Sequence, residues 1–213
     1  MKARAAVLIS GRGSNMMSLI RAARDPAYPV EIALVVSNQP QAPGVVLARA
    51  EGVPAVAIDH RPFQKDRAAH EAAIDAALGN AGIEIVCLAG YMRLFTPYFI
   101  DRWADRAINI HPSLLPAFPG LHTHEQALAT GVKLHGCTVH AVRHAMDTGP
   151  ILAQAAVPVL PGDTPDSLAA RVLAQEHVIY PLALRLFAEQ RQGMAPAGDK
   201  ALLNPLPEAA PVP

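Results

Sequence analysis

Apolar residues come in short runs separated by longer stretches of helical spacing through the first half of the chain. That alternation predicts βαβ units and a parallel sheet. Residues 5–9, 32–36, 55–58 and 85–88 read as strands, and residues 14–23, 44–51 and 63–78 between them have the length, alanine content and apolar spacing of helices. Residues 107–110 make a fifth strand. The pattern then changes. Residues 138–142 and 151–158 read as two strands joined through the turn Asp147-Thr148-Gly149-Pro150, so the sheet is expected to become mixed at that edge. A last helix runs over 165–189, capped by Asp163 or Thr164. The expected fold is α/β: a Rossmann-like three-layer arrangement with a mostly parallel sheet and an antiparallel or mixed C-terminal edge. Residues 1–189 read as one domain and 190–213 as a proline-rich tail, punctuated by Pro205, Pro207, Pro211 and Pro213.

Length and composition fit one core, since 213 residues with 51% hydrophobic content suffice for a single compact unit. Lys+Arg and Asp+Glu balance at 18 each, and no basic run offers a phosphate backbone a charged track, which argues against a nucleic-acid partner. Cys87 and Cys137 are far apart, form no C-x-x-C pair, and read as reduced thiols of a cytoplasmic protein. The apolar run at 5–9 is broken by Gly11 and Gly13 too early for a signal core or a membrane span.

Gly11-Arg12-Gly13-Ser14-Asn15 follows the first strand and opens the first helix, so backbone N–H groups and the helix N-terminus should face an anion, with phosphate as the expected tenant. Met16 stands where the dinucleotide fingerprint needs its third glycine, and the loop lacks the Gly-Lys-Ser/Thr of a P-loop. A tight turn between strand and helix explains the glycines equally well, while Ser14 and Asn15 add side-chain hydrogen bonds suited to a phosphate monoester.

The candidate chemistry lies further on. Asn109-Ile110-His111-Pro112 ends the fifth strand, and Asp147 follows some thirty residues later. An amide, an imidazole and a carboxylate suffice to move protons around a carbonyl carbon. Each also has a structural reading: His111 as a buried histidine satisfied by a carbonyl, Asn109 as a turn former, Asp147 as an Asx-turn residue. Five of the nine histidines, His111, His122, His124, His135 and His140, fall between 111 and 140. No H-E-x-x-H or paired-cysteine motif accompanies them, so no metal site is expected.

Seven blocks then resemble one family in order and spacing: Ser10-Gly11-Arg12-Gly13-Ser14-Asn15, Leu88-Ala89-Gly90-Tyr91-Met92-Arg93, Asn109-Ile110-His111-Pro112-Ser113-Leu114-Leu115-Pro116, Pro119-Gly120-Leu121-His122-Thr123-His124, His135-Gly136-Cys137-Thr138-Val139-His140, Asp147-Thr148-Gly149-Pro150 and Gln175-Glu176-His177. The chain is similar, over nearly its whole length, to the folate-dependent phosphoribosylglycinamide formyltransferases of purine synthesis. The resemblance implies a phosphoribosyl amine at Gly13, Ser14 and Asn15, with Glu176 on the ribose hydroxyls. It implies 10-formyltetrahydrofolate against Met92, Arg93, Leu94 and Phe95, with Arg67 near its pterin-to-glutamate portion and Asn109 at the formyl group. Catalysis falls to Asn109, His111 and Asp147, supported by His140 and by water held near Asp147 and Thr138. The formyltransferase domain would be 1–189, with a phosphate-binding half over about 1–105 and a folate and catalytic half over about 106–189.

Tyr91, Thr148 and Leu173 depart from the pattern, the last at a position where the resemblance implies a polar residue that helps hold the ribosyl substrate. Methionyl-tRNA formyltransferases share the catalytic residues but add a C-terminal barrel and a basic surface. Formyltetrahydrofolate hydrolases share them behind an N-terminal regulatory domain, and the phosphate loop favours a phosphorylated acceptor over water. A non-catalytic folate- or nucleotide-sensing module is the rival from another class. The expected partners are small-molecule substrates, with no metal and no membrane, acting on a monomer or homodimer. Residues 117–132 read as either a mobile lid or a rigid loop.

Overall fold

A computed structural model of the chain describes residues 2–191; most of the proline-rich tail lies outside the described residues. Among them, seven strands form one sheet: β1 (Ala3–Ile9), β2 (Val30–Ser37), β3 (Ala55–Ala57), β4 (Ile85–Leu88), β5 (Ala107–His111), β6 (Leu134–Ala141) and β7 (Ile151–Pro158). Their order is β3-β2-β1-β4-β5-β6-β7. The first five are parallel, while β6 runs antiparallel to both β5 and β7, as the turn at 147–150 implied. The chain winds outward from β1 to β3 and then returns to β4 on the other side of β1. That reversal opens a crevice at the carboxyl ends of β1 and β4.

Helices α1 (Ser14–Ala23), α2 (Pro43–Ala50), α5 (Thr123–Thr130) and α6 (Pro165–Arg191) cover one sheet face, and α3 (Arg67–Asn80) and α4 (Pro97–Arg102) the other. Two apolar layers result. Val7, Ile9, Cys87, Ile108, Ile110 and Val139 pack toward α1 and α6. Ala6, Leu8, Val86 and Leu88 pack under Ile74, Leu78, Phe99 and Trp103.

Some elements differ from the sequence reading. The helix expected over 63–78 breaks at its start: Arg61–Phe63 form a 3-10 turn, Gln64 takes a φ of 50°, and α3 begins only where Asp66 accepts the Ala69 N–H at 2.9 Å. The carboxylate cap resets the start. Helices α4 and α5 are not among the helices assigned from the pattern: α4 is only six residues, and α5, which starts at Thr123, buries only Thr123 and Ala127, too little for an apolar stripe. Of the two candidate caps for α6, Thr164 forms the cap, exchanging hydrogen bonds with Ser167, and Asp163 instead pairs with Arg171 at 2.8 Å.

Candidate active site

On β5, side chains alternate, so Ile108 and Ile110 enter the core beneath α6 while Asn109 and His111 point to the opposite face. The register sets Asn109 opposite His140 and His111 opposite Thr138. That face is covered by α3 and α4 over β1 and β4, but over β5 and β6 it is covered only by loops. Polar side chains therefore meet where the helical layer stops.

Asp147 approaches from the β6–β7 connection with a φ of 57°, a left-handed conformation that Asp tolerates better than most residues. Its Oδ2 accepts the Gly120 N–H at 2.9 Å and lies 3.5 Å from His111 Nδ1; its Oδ1 lies 3.8 Å from His140 Nε2. Asp147 thus sits in the β6–β7 turn with its carboxylate directed at Gly120 and the imidazole rather than back onto the turn, as an Asx-turn would have it. The other nitrogen of His111, Nε2, lies 3.0 Å from the Phe118 carbonyl. A carbonyl and a carboxylate flank the ring, so an imidazolium there would have an acceptor for each N–H.

His140 is 3% exposed, and burial lowers its pKa; the neighbouring Ala141 carbonyl and Asp147 only partly oppose that shift. A neutral His140 donates Nδ1–H to the Ala141 carbonyl at 3.0 Å and leaves Nε2 to accept from Asn109 Nδ2 at 3.2 Å. The Asn109 amide is thereby oriented, with its second N–H and its Oδ1 left for a ligand. Thr138 is fully buried, and its hydroxyl donates to the Ser113 carbonyl at 2.7 Å while accepting from the Leu115 N–H and Gln154 Nε2, each at 3.0 Å. With one donor and two acceptor sites engaged, this hydroxyl braces the 113–115 turn and has no capacity left to hold a water.

The glycine loop lies at the same end of the sheet. Gly13 takes a φ of 77°, and the Met17 N–H bonds back to its carbonyl at 3.0 Å. Asn15, on the first turn of α1, donates from Nδ2 to Glu176 Oε2 at 2.6 Å, while its own Oδ1 is buried without a partner. Glu176 is 6% exposed, and desolvation raises its pKa although the Asn15 bond pulls the other way. Residues expected in separate halves of the chain thus share one hydrogen bond. Ser10 ties the loop to the next segment: its N–H bonds the Gly90 carbonyl at 3.1 Å, and its hydroxyl accepts the Met92 N–H at 2.8 Å.

In that segment Met92 and Leu94 are exposed, at 69% and 60%, whereas Phe95 is stacked between Tyr91 and Phe99 at ring distances of 5.0 and 4.1 Å. Phe95 supports the segment more than it faces open space. Arg67 opens α3 and is exposed. One turn on, His70 feels the charge of Arg93, so the start of α3 borders the same segment.

Ser10, Phe118 and Gly120 position these groups but were not singled out from the sequence. Two act through the backbone, and backbone roles carry no residue-type signal; Gly120, at a φ of 82°, is the partial exception. Residues 117–130 form a turn and a helix fastened by Thr123 Oγ1 to the Pro112 carbonyl at 2.6 Å and by Ser113 Oγ to the Ala117 carbonyl at 2.6 Å. His122 and His124 do not converge. His122 faces Glu125 at the surface, and His124 Nδ1 lies 3.2 Å from His135 Nε2. Among the described residues no helix is long and apolar enough to cross a membrane.

A family model described as Formyl transferase matches residues 3–184. The phosphoribosylglycinamide formyltransferase of Escherichia coli (strain K12) is 42% identical over 188 residues, covering 88% of each chain. The trifunctional purine biosynthetic protein adenosine-3 of Homo sapiens is 48% identical over 187 residues; they make up 88% of this chain but only 18% of that protein. Among solved structures, the phosphoribosylglycinamide formyltransferase from Brucella melitensis superposes with a TM-score of 0.84 at 54% identity, covering 88% of this chain and 96% of that one.

Proposed function

The chain belongs to the formyl transferase family, and from that premise we propose that it moves the formyl group of 10-formyltetrahydrofolate onto the amine of 5'-phosphoribosylglycinamide, a step of purine (IMP) biosynthesis. The observation that carries this reading is the meeting of Asn109, His111 and Asp147 at the same end of the sheet as the Asn15–Glu176 pair. The two sets of groups give an acceptor and a donor adjoining sites.

The acceptor's phosphate lies against the N–H groups of Gly13, Ser14 and Asn15 at the start of α1, where the helix dipole favours an anion. Glu176 takes the ribose hydroxyls. The folate lies along Met92, Arg93, Leu94 and Phe95, with Arg67 toward its glutamate end and its formyl group at Asn109. The substrate amine attacks the formyl carbon, and the oxygen that gains negative charge accepts from the free Asn109 N–H and lies near the positive charge of an imidazolium at His111. Asp147 fixes the ring and stabilises its charge, and the proton lost by the amine passes to the departing N10. No covalent bond to the protein is required.

The test is a formyl-transfer assay with purified protein, 10-formyltetrahydrofolate and glycinamide ribonucleotide, followed at the absorbance of released folate. Folate release that depends on the amine is expected. Release without any amine would instead identify a hydrolase, and binding of both compounds without turnover a sensing module.

A further inference from the structure

We propose that Arg12, between the two loop glycines, supplies the positive charge that the acceptor's phosphate requires and so sets the preference of this site for phosphorylated over unphosphorylated amines. The inference rests on the acceptor reading above and adds a residue to it. Gly44 opens α2 against the loop. Its N–H bonds the Gly11 carbonyl at 3.1 Å, and a Cβ at this position would lie 3.0 Å from the Gly11 carbonyl oxygen and 3.3 Å from that of Arg12. The two carbonyls are thereby turned toward α2, which holds the backbone at 12 while its side chain extends into solvent. Arg12 is exposed and, among the described residues, has no hydrogen bond or ion pair.

Among the described residues the other permanent cations near the loop stand further off: Arg21 is two turns along α1, about 10 Å from its start, and Arg93 lies in the segment read as the folate's. The start of α2 contributes Ala42, Pro43 and Gly44. On α6, Leu173 lies one turn before Glu176 on the same face and is apolar. His177 is half-buried beside Arg21, and both effects lower its pKa, so it is neutral near pH 7. Glu176 is itself acidic. A phosphate dianion at the start of α1 would therefore face the Glu176 carboxylate with Arg12 as the cation nearest to it along the chain. The Arg12 guanidinium, with its fork of N–H donors, matches phosphate geometry and is always protonated.

The experiment compares glycinamide ribonucleotide with its dephosphorylated riboside as acceptors for the wild-type protein, Arg12→Ala and Arg12→Lys. A charge-assisted contact of this kind corresponds to roughly 10- to 100-fold. Arg12→Ala should raise KM for the ribonucleotide by that factor, with the riboside's KM and the folate's KM within about twofold of wild type. Arg12→Lys should recover part of the loss, and added salt should weaken ribonucleotide binding less in Arg12→Ala than in wild type. A ribonucleotide KM within twofold of wild type in Arg12→Ala overturns the proposal, as does an equal rise for both acceptors. Absence of amine-dependent formyl release in the wild-type protein would instead sink the underlying function.

Discussion

At the carboxyl ends of β1 and β4 the crevice is walled mostly by backbone: the N–H groups opening α1, the carbonyls of Gly11 and Arg12 turned toward Gly44, and the Ser10 link to Gly90. Over β5 and β6 it is walled by side chains: Asn109, His111 and His140 from paired strands, and Asp147 from a loop. The first wall is set by local chain geometry close to one strand end. The second exists only once β6 has folded back antiparallel on β5 and the 143–150 connection has closed over both. The two walls should therefore fail differently. A backbone wall is damaged by adding atoms where the chain approaches itself, whereas a side-chain wall is damaged by removing a charge or a donor while leaving the shape intact.

The largest effect is expected at Asp147. Asn also tolerates the left-handed backbone and keeps an acceptor for the Gly120 N–H, so Asp147→Asn retains the turn and deletes only the charge. Removing one such electrostatic partner costs about a hundred- to a thousandfold in turnover. We expect kcat to fall by that factor with KM for the ribonucleotide and the melting temperature little changed, and the same for His111→Ala apart from some loss of stability. Near-wild-type kcat in Asp147→Asn would reduce this wall to a structural turn. Next is His140→Phe, which keeps ring volume but removes the acceptor that orients Asn109. One neutral hydrogen bond corresponds to about tenfold, so kcat should drop by roughly that much. An unchanged kcat would mean that Asn109 is oriented by something else.

The backbone wall is probed by Gly44→Ala. The added methyl would meet Ile9 Cδ1 and the carbonyl oxygens of Gly11 and Arg12, an overpacking worth about 1–3 kcal/mol. KM for the ribonucleotide should rise several-fold through displacement of the loop, with kcat at saturation nearly preserved. If kcat fell and KM stayed constant, the two walls could not be separated in this way.

The same division explains what could be read in advance. The parallel half of the sheet was legible because buried strands are short continuous apolar runs, and the glycine loop because Gly11 and Gly13 stand directly after one of them. The pairing of Asn109 with His140 was not, since register across an antiparallel pair depends on where β6 begins, and it begins at Leu134, ahead of the strand expected at 138. Thr138 shows the limit of residue type: the resemblance implied water held near it, and full burial with three hydrogen-bond partners gives its hydroxyl a bracing role. Family resemblance linked Asn15 and Glu176 to one substrate; only folding shows that α6 brings them within 2.6 Å.

The smallest effect concerns stability in acid. Behind the side-chain wall, His135 packs edge-on against Phe118, whose carbonyl holds His111, and lies beside His124. Burial, with the neighbouring His124, lowers the His135 pKa from 6.5 to about 4. The sign follows directly. Above about 6.5 the ring is neutral in both folded and unfolded chains and its contribution is complete; as pH falls from there toward 4 the unfolded chain takes up a proton that the folded chain refuses, and stability is lost. One proton sets the slope at no more than about 1.4 kcal/mol per pH unit. Urea unfolding of wild type and His135→Phe at pH 7.5, 6.0 and 5.0 measures it. Stability of the wild type should decline between 6.5 and 5, more steeply than that of His135→Phe, which lacks the His135 proton but still declines because His70, His124, His140 and His177 are also shifted downward. Three of those five imidazoles, His124, His135 and His140, lie on the side-chain side of the crevice. Hydrogen exchange at pH 5 should accordingly rise first in residues 112–124 and 143–149, before the loop at 10–15; the reverse order would show that the backbone wall is the weaker of the two.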